Sequence, residues 1–98
     1  MRVENMTSSK GNKIANQFII HTEELDQQSG DMHRICYFQS YRSIIVRQNL
    51  TTGETQLDED KWDYSRTTSK YRNNFLGDDT REVKAKIKSG EYVLADLN

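Results

Sequence analysis

KWDYSRTTSKYRNNFLG, residues 61–77, holds the only tryptophan of the chain and two of its five tyrosines. Trp62 and Tyr64 alternate as they would at the end of a short extended segment. Ser65, Thr67 and Thr68 then offer side-chain oxygens to the first unpaired amides of a helix, which places a helix start within Ser65 to Thr68. Tyr71 and Phe75 are four apart, with Leu76 following, so one apolar stripe faces inward while Lys70, Arg72, Asn73 and Asn74 lie elsewhere on the helix surface. Gly77 suits the left-handed position just past a helix end. This reading makes Trp62 a core anchor and the hydroxyl residues caps.

Working outward, Asp79 and Glu82 have the spacing of a capping box and open a second helix. Val83 and Ile87 give it a narrow apolar stripe, and Lys84, Lys86 and Lys88 crowd its C-terminal half, where the helix dipole favours cations. Ser89 and Gly90 end it, and residues 91–97 alternate as a short closing strand. Before the central stretch, Phe18 to Leu25 and Met32 to Gln39 read as two strands joined by a turn at Asp26 to Asp31. Ile44, Ile45 and Val46 begin a third strand running to about Leu50, and Thr55 to Leu57 pairs back as a fourth. The expected order is ββββααβ, an α+β fold in which a small antiparallel sheet packs with two short C-terminal helices. Residues 1–13 are polar and lack periodicity, so they are expected as a flexible tail, with residues 14–98 as one domain.

Composition restricts what such a domain does. With 98 residues, 34% of them hydrophobic, and a mean hydropathy of −0.93, the core is thin and argues against a deep active-site cavity. A single cysteine, Cys36, excludes an internal disulfide and fits a reducing cytosol. No apolar run approaches the roughly 20 residues of a membrane span, and the amino terminus lacks a signal-peptide core, so the two Asn-x-Thr triplets at Asn5 and Asn49 are read as chance matches. Cys36 and His33 as nucleophile and base would sit on opposite faces of a strand, three residues apart. His21, Asp31, His33 and Cys36 have no metal-ligand spacing, Asp58, Glu59 and Asp60 read as a solvated loop, and no phosphate-binding glycine loop is present. Neither a cofactor, a metal nor a small-molecule substrate is expected, and the chain reads as non-enzymatic.

The QSYRSIIV strand at Gln39 to Val46, followed by Trp62, Tyr64, Ser65, Thr67, Thr68 and Lys70 and then Phe75 and Leu76, resembles a family of small phage and prophage proteins of unknown function. The likeness covers roughly residues 35–94. Tyr71 departs from it, standing where many relatives are expected to carry His. The resemblance implies an origin in a phage or mobile element and action in a bacterial cytoplasm; it implies no activity.

Charge is unevenly spread. Residues 61–88 carry a net +4, residues 1–60 a net −3. The basic helical half, interleaved with Trp62, Tyr64 and Tyr71, suits phosphates or an acidic protein surface, but a pI near 6.1 lacks the excess positive charge of a general nucleic-acid binder. The leading expectation is therefore a phage accessory protein that binds a host protein, such as a defence or gene-expression component. Nucleic-acid binding by the basic half is the alternative. In either case Lys70, Arg72, Lys84 and Lys88, lying off the apolar stripes, are the residues expected to reach a partner.

Overall fold

The computed structural model describes residues 1–98 as six strands and two helices: β1 (Arg2–Thr7), β2 (Lys13–Leu25), β3 (Met32–Ser40), β4 (Ser43–Asn49), β5 (Thr55–Asp58), α1 (Arg66–Leu76), α2 (Thr80–Ser89) and β6 (Tyr92–Ala95). The strands form one sheet in the order of the chain. Every junction is antiparallel except β5–β6, which is parallel. The fold is therefore α+β, but five strands precede the helices and the sheet is mixed. Parallel neighbours need a crossover, and α1 and α2 supply it, which is why both helices lie on one side of the sheet.

The extra strand is the segment expected as a tail. β1 pairs with β2 from Arg2 opposite His21 to Thr7 opposite Lys13, and the hairpin between them closes on Ser8, whose backbone N–H reaches the Asn12 carbonyl at 2.8 Å. Asn5 ties the hairpin down, its side-chain amide donating to the Ile14 carbonyl at 2.6 Å. An edge strand needs no alternating apolar pattern when most of its side chains stay exposed, and only Asn5 and Met6 of β1 are half-buried. Polarity alone made it look unstructured.

The helix boundaries follow from the local chemistry. The Ser65 hydroxyl accepts the Thr68 amide at 3.1 Å, and Gly77 closes α1 at φ 76°, a backbone that side chains disfavour. Asp79 and Glu82 form both bonds of their capping box, at 2.8 and 3.0 Å. Trp62 and Tyr64, by contrast, lie in a turn and not on a strand: the Trp62 amide folds back to the Asp58 carbonyl at 3.0 Å, and Tyr64 is exposed. Asp58 is not a solvated loop residue either. It is 1% exposed, and its carboxylate accepts the backbone amides of Asp60, Lys61 and Leu97.

Phe38, Ile45, Val46, Leu57, Val83 and Tyr92 make the core, with Met6, Trp62, Tyr71, Phe75, Leu76 and Ile87 packed half-buried around it. Phe75 stacks on Phe38 at 5.8 Å between ring centres, so the stripes read on both helices do face the sheet. A bulge between Phe38 and Gln39 leaves Ile45 opposite no single residue of β3, and both Ile45 and Val46 are fully buried. Trp62 is only partly buried, and its indole lies against a guanidinium instead of filling the centre.

That guanidinium belongs to Arg72, the largest fully buried side chain in the protein. It donates to the Trp62 carbonyl at 2.5 Å, to Asp63 at 3.1 Å, to Asn73 at 2.8 and 3.1 Å and to Thr80 at 3.3 Å, while lying 5.2 Å from the Trp62 ring centre. The expectation that Arg72 reaches out to a partner is therefore overturned: four residues off the Thr68 position on α1, it points under the turn and clasps the start of α2. Beside it, Asp78 receives the Tyr92 hydroxyl and the Lys86 ammonium, the latter at 2.9 Å, which fastens the interhelical link to β6. We expect Arg72→Ala to cost about 3–5 kcal/mol, because the Trp62 carbonyl loses this donor and a fully buried side chain leaves a cavity behind it. Lys70→Ala, on the exposed side of α1, should stay within about 0.5 kcal/mol. Denaturant midpoints of the two variants check this; equal midpoints would remove Arg72 from the framework.

Candidate functional site: the helix-free face of the sheet

With both helices on one side, the alternation of side chains along each strand leaves a second face without a covering layer. The register assigns its residues. Ile20 of β2, Tyr37 of β3, Arg47 of β4 and Gln56 of β5 form one cross-strand row. Thr22, Ile35 and Asn49 form the next, and Glu24 opposite His33 the one after. Val3 of β1, opposite Ile20, extends the first row, and toward the other end of the same face come Phe18, Gln39 and Ile44. Half the face is thus apolar and half polar.

The polar half is fixed by hydrogen bonds. The Tyr37 hydroxyl donates to one oxygen of Glu24, and Arg47 donates to the other at 3.2 Å. The Arg47 guanidinium also lies 3.4 Å from the Tyr37 oxygen and 3.4 Å from the Gln56 amide oxygen. Burial pushes the Tyr37 hydroxyl above the ordinary tyrosine range, and its bond to the Glu24 carboxylate pushes it further. Asn49 is held by its oxygen, which accepts the backbone amides of Thr51 and Thr52 at 3.0 Å each. Its nitrogen must then face His33 Nδ1, at 2.9 Å, so that ring nitrogen accepts and a neutral His33 carries its proton on Nε2.

Between these groups and the β2–β3 turn is a hollow of about 510 Å³. Ile35, 1% exposed, lies at its floor, and Glu24, Asp26, His33, Arg47 and Glu54 stand around it. Three carboxylates face one guanidinium already engaged by Glu24. Hydrogen bonds from Ser29 hold the Asp26 carboxyl below its ordinary value, so it stays charged at neutral pH. The hollow offers negative charge and fixed hydrogen-bond acceptors beside an apolar surface, the equipment of recognition.

The residues singled out from the sequence are distributed elsewhere. Lys70, Lys84 and Lys88 are exposed on the helices, on the opposite side of the sheet, and Arg72 is buried. Within the aromatic motif, Thr68 is buried and bonds the Ser40 hydroxyl at 2.9 Å, while Ser65 caps the helix, Thr67 is exposed and Tyr71 and Phe75 line the core. His33 and Cys36 do lie on opposite faces. A different pairing escaped the sequence: Cys36 is directly opposite His21, whose Nε2 lies 3.1 Å from Glu4 Oε1. Only strand register reveals that alignment. It lacks the features of an activated nucleophile, because the thiol makes no hydrogen bond to His21 and burial, followed by the nearby Glu4 charge, pushes it above the usual thiol range. No group of three His, Cys, Asp or Glu side chains converges as a metal site. No helix is long and apolar enough to cross a membrane.

A small α+β sheet with one covered face and one patterned open face is a protein class of many functions. Residues 1–91 match the model of a family described as "Family of unknown function (DUF8033)", and the chain belongs to that family. No curated protein matches it, and no solved structure does.

The Tyr37 environment is open to titration. Absorbance at alkaline pH should show Tyr37 ionising late, together with Tyr92, whose hydroxyl burial and the Asp78 carboxylate push up to about 12. Since both folded values lie above the unfolded value of about 10, the stability they contribute is complete below that pH and is lost as pH rises through the folded values. Tyr37→Phe and Tyr92→Phe should each remove one late-titrating group and soften the alkaline loss of stability. Five tyrosines titrating together near pH 10 would show that neither hydroxyl is held as described.

Proposed function

We propose that this chain is a non-catalytic binding protein of a phage or mobile element, which engages a host protein through the helix-free face of its sheet and so modulates a defence or gene-expression component. The observation that carries the reading is the face itself: an apolar patch of Val3, Phe18, Ile20 and Ile44, spread over two adjacent rows, lies beside a hollow whose polar groups are locked by Glu24, Tyr37 and Arg47. A face needed only for solubility has no use for that locking, since free charges solvate as well. The phage and cytoplasmic parts of the proposal rest on the Trp62 to Leu76 motif and on the single buried thiol.

A second reading, nucleic-acid binding, is favoured by one specific observation. Lys84 and Lys88 are four apart on α2 and exposed, and neither they nor Lys70 is engaged in an ion pair. With Arg72 withdrawn into the interior, that surface is smaller than its sequence promises, which places it second.

The two surfaces lie on opposite sides of the sheet, so one experiment separates them. Capture from bacterial lysate would be run with the wild-type chain, with Ile20→Arg on the open face, and with Lys84→Glu combined with Lys88→Glu on α2, each with its melting curve. We expect the same protein to be recovered by the wild-type chain and the α2 variant, and recovery by Ile20→Arg to fall by about tenfold or more while its fold is retained. Loss with the α2 variant alone would move the site to the basic half; recovery that nuclease or salt abolishes would establish the nucleic-acid reading in its place.

A further inference from the structure

β1 is an edge of the sheet, and its outer row of backbone N–H and C=O groups has no partner within the chain. Edges of this kind are guarded in most proteins by proline, by bulges or by charge. The chain has no proline. The one irregularity in β1 lies between Asn5 and Thr7, which leaves Arg2 to Asn5 regular. The charged residues there, Arg2 and Glu4, are of opposite sign, two apart and on the same face of the sheet.

We propose that β1 pairs antiparallel with β1 of a second copy of this chain about a two-fold axis at Val3, giving a dimer with one continuous twelve-stranded sheet. The register follows from charge and symmetry. A two-fold perpendicular to the sheet keeps each residue on its own face, so residues paired across it must be an even number apart. Centring on Arg2 sets Arg2 against its own copy, and centring on Glu4 sets Glu4 against its own copy. Centring on Asn5 carries the pairing into the bulge. Only the axis at Val3 sets Arg2 opposite Glu4 of the second copy, twice, with Val3 against Val3 between them.

The side chains are free to accept this arrangement. Val3 is 54% exposed, an uncovered β-branched residue whose favourable cross-strand neighbour is another of its kind. Arg2 makes no ion pair within the chain, and Glu4 uses only Oε1, on His21, which leaves Oε2 for the incoming guanidinium. β6, the other edge, offers only the four residues Tyr92–Ala95, and the negatively charged Asp96 follows it directly. The dimer would place two helix-free faces side by side, although it stands on the edge alone and not on the binding proposed for that face.

Sedimentation of the purified full chain between about 10 µM and 1 mM tests it, since the five residues a side that this register pairs bury less than the roughly 800 Å² per partner of a standard interface and the association must depend on concentration. We expect the wild-type chain to dimerise in that range and the exchange of the amides of residues 2–5 to slow as dimer forms. Arg2→Glu alone and Glu4→Arg alone each create like-charge pairs and should weaken the dimer by about tenfold or more, with melting curves of the monomer little changed. The double variant Arg2→Glu with Glu4→Arg should restore it. A chain that is monomeric throughout the range, a dimer indifferent to either single reversal, or a folded double variant that stays monomeric would each overturn the proposal. None of these outcomes bears on capture of a host protein, which is read separately.

Discussion

The buried guanidinium of Arg72 is the constraint on which the helical half depends. A charge removed from water is tolerated only when nearly all its donors are engaged, and Arg72 engages a backbone carbonyl, a carboxylate, an amide and a hydroxyl in three different segments. Those segments are the turn after β5, α1 and the first residue of α2. The clasp therefore sets the position of each relative to the other two. Asp63, its carboxylate partner, has burial acting against its charge, yet bonds from Ser69 and Arg72 outweigh that and hold its carboxyl below the usual range. Its folded value is lowered, so the stability it contributes is present above the ordinary carboxylate range and is lost as the pH falls through the lowered value.

A polar clasp is needed because the apolar core is small. Of 15 buried residues, seven are polar or charged, and the central cluster contains six side chains. Hydrophobic contact is non-directional, so a cluster this small cannot alone fix how two short helices lie on a sheet. Arg72, Asp78 and Asp58 supply direction. Asp58 joins the end of β5 to the following turn and to Leu97, and Asn98 closes on both backbone groups of Ile44, at 2.8 and 2.9 Å, beyond the reach of β5. The parallel β5–β6 junction is held in this way at its end, and at its beginning by the Tyr92 hydroxyl on Asp78.

The helices were legible in the sequence because their signals are local. Ser65, Gly77, Asp79, Glu82 and Gly90 act within four residues of themselves, and the stripes at Tyr71 and Phe75 and at Val83 and Ile87 need only the helical period. β1 was not legible, since an edge strand with one apolar contact leaves no periodic trace. The role of Arg72 was hidden for a related reason: off the apolar stripe, an arginine reads as solvent-exposed unless the Trp62 carbonyl, Asp63 and Thr80 are known to surround it. The same limit applies to the candidate site. Glu24, Tyr37, Arg47 and Asn49 come from three strands and meet only through register, which one residue of slip would reverse. Nothing in their spacing marks them as a group.

That limit also explains why the basic surface looked larger in sequence than it is in space. Of the eight cations between residues 61 and 88, Arg72 is spent inside and Lys86 is bound to Asp78 and approaches Glu91 at 3.7 Å. Lys61 lies over Tyr64 and Lys70 over Tyr71, at 5.1 and 5.3 Å from the ring centres. Local charge counting treats all of them as equal and available. The structure assigns half to holding the fold or to neighbouring rings, whereas the open face keeps Asp26 and Glu54 unpaired by any cation beside a hollow. Complementarity to a partner is set by the charges left over after folding, and here the leftover carboxylates, though fewer than the leftover cations, are the ones that stand beside a shaped surface.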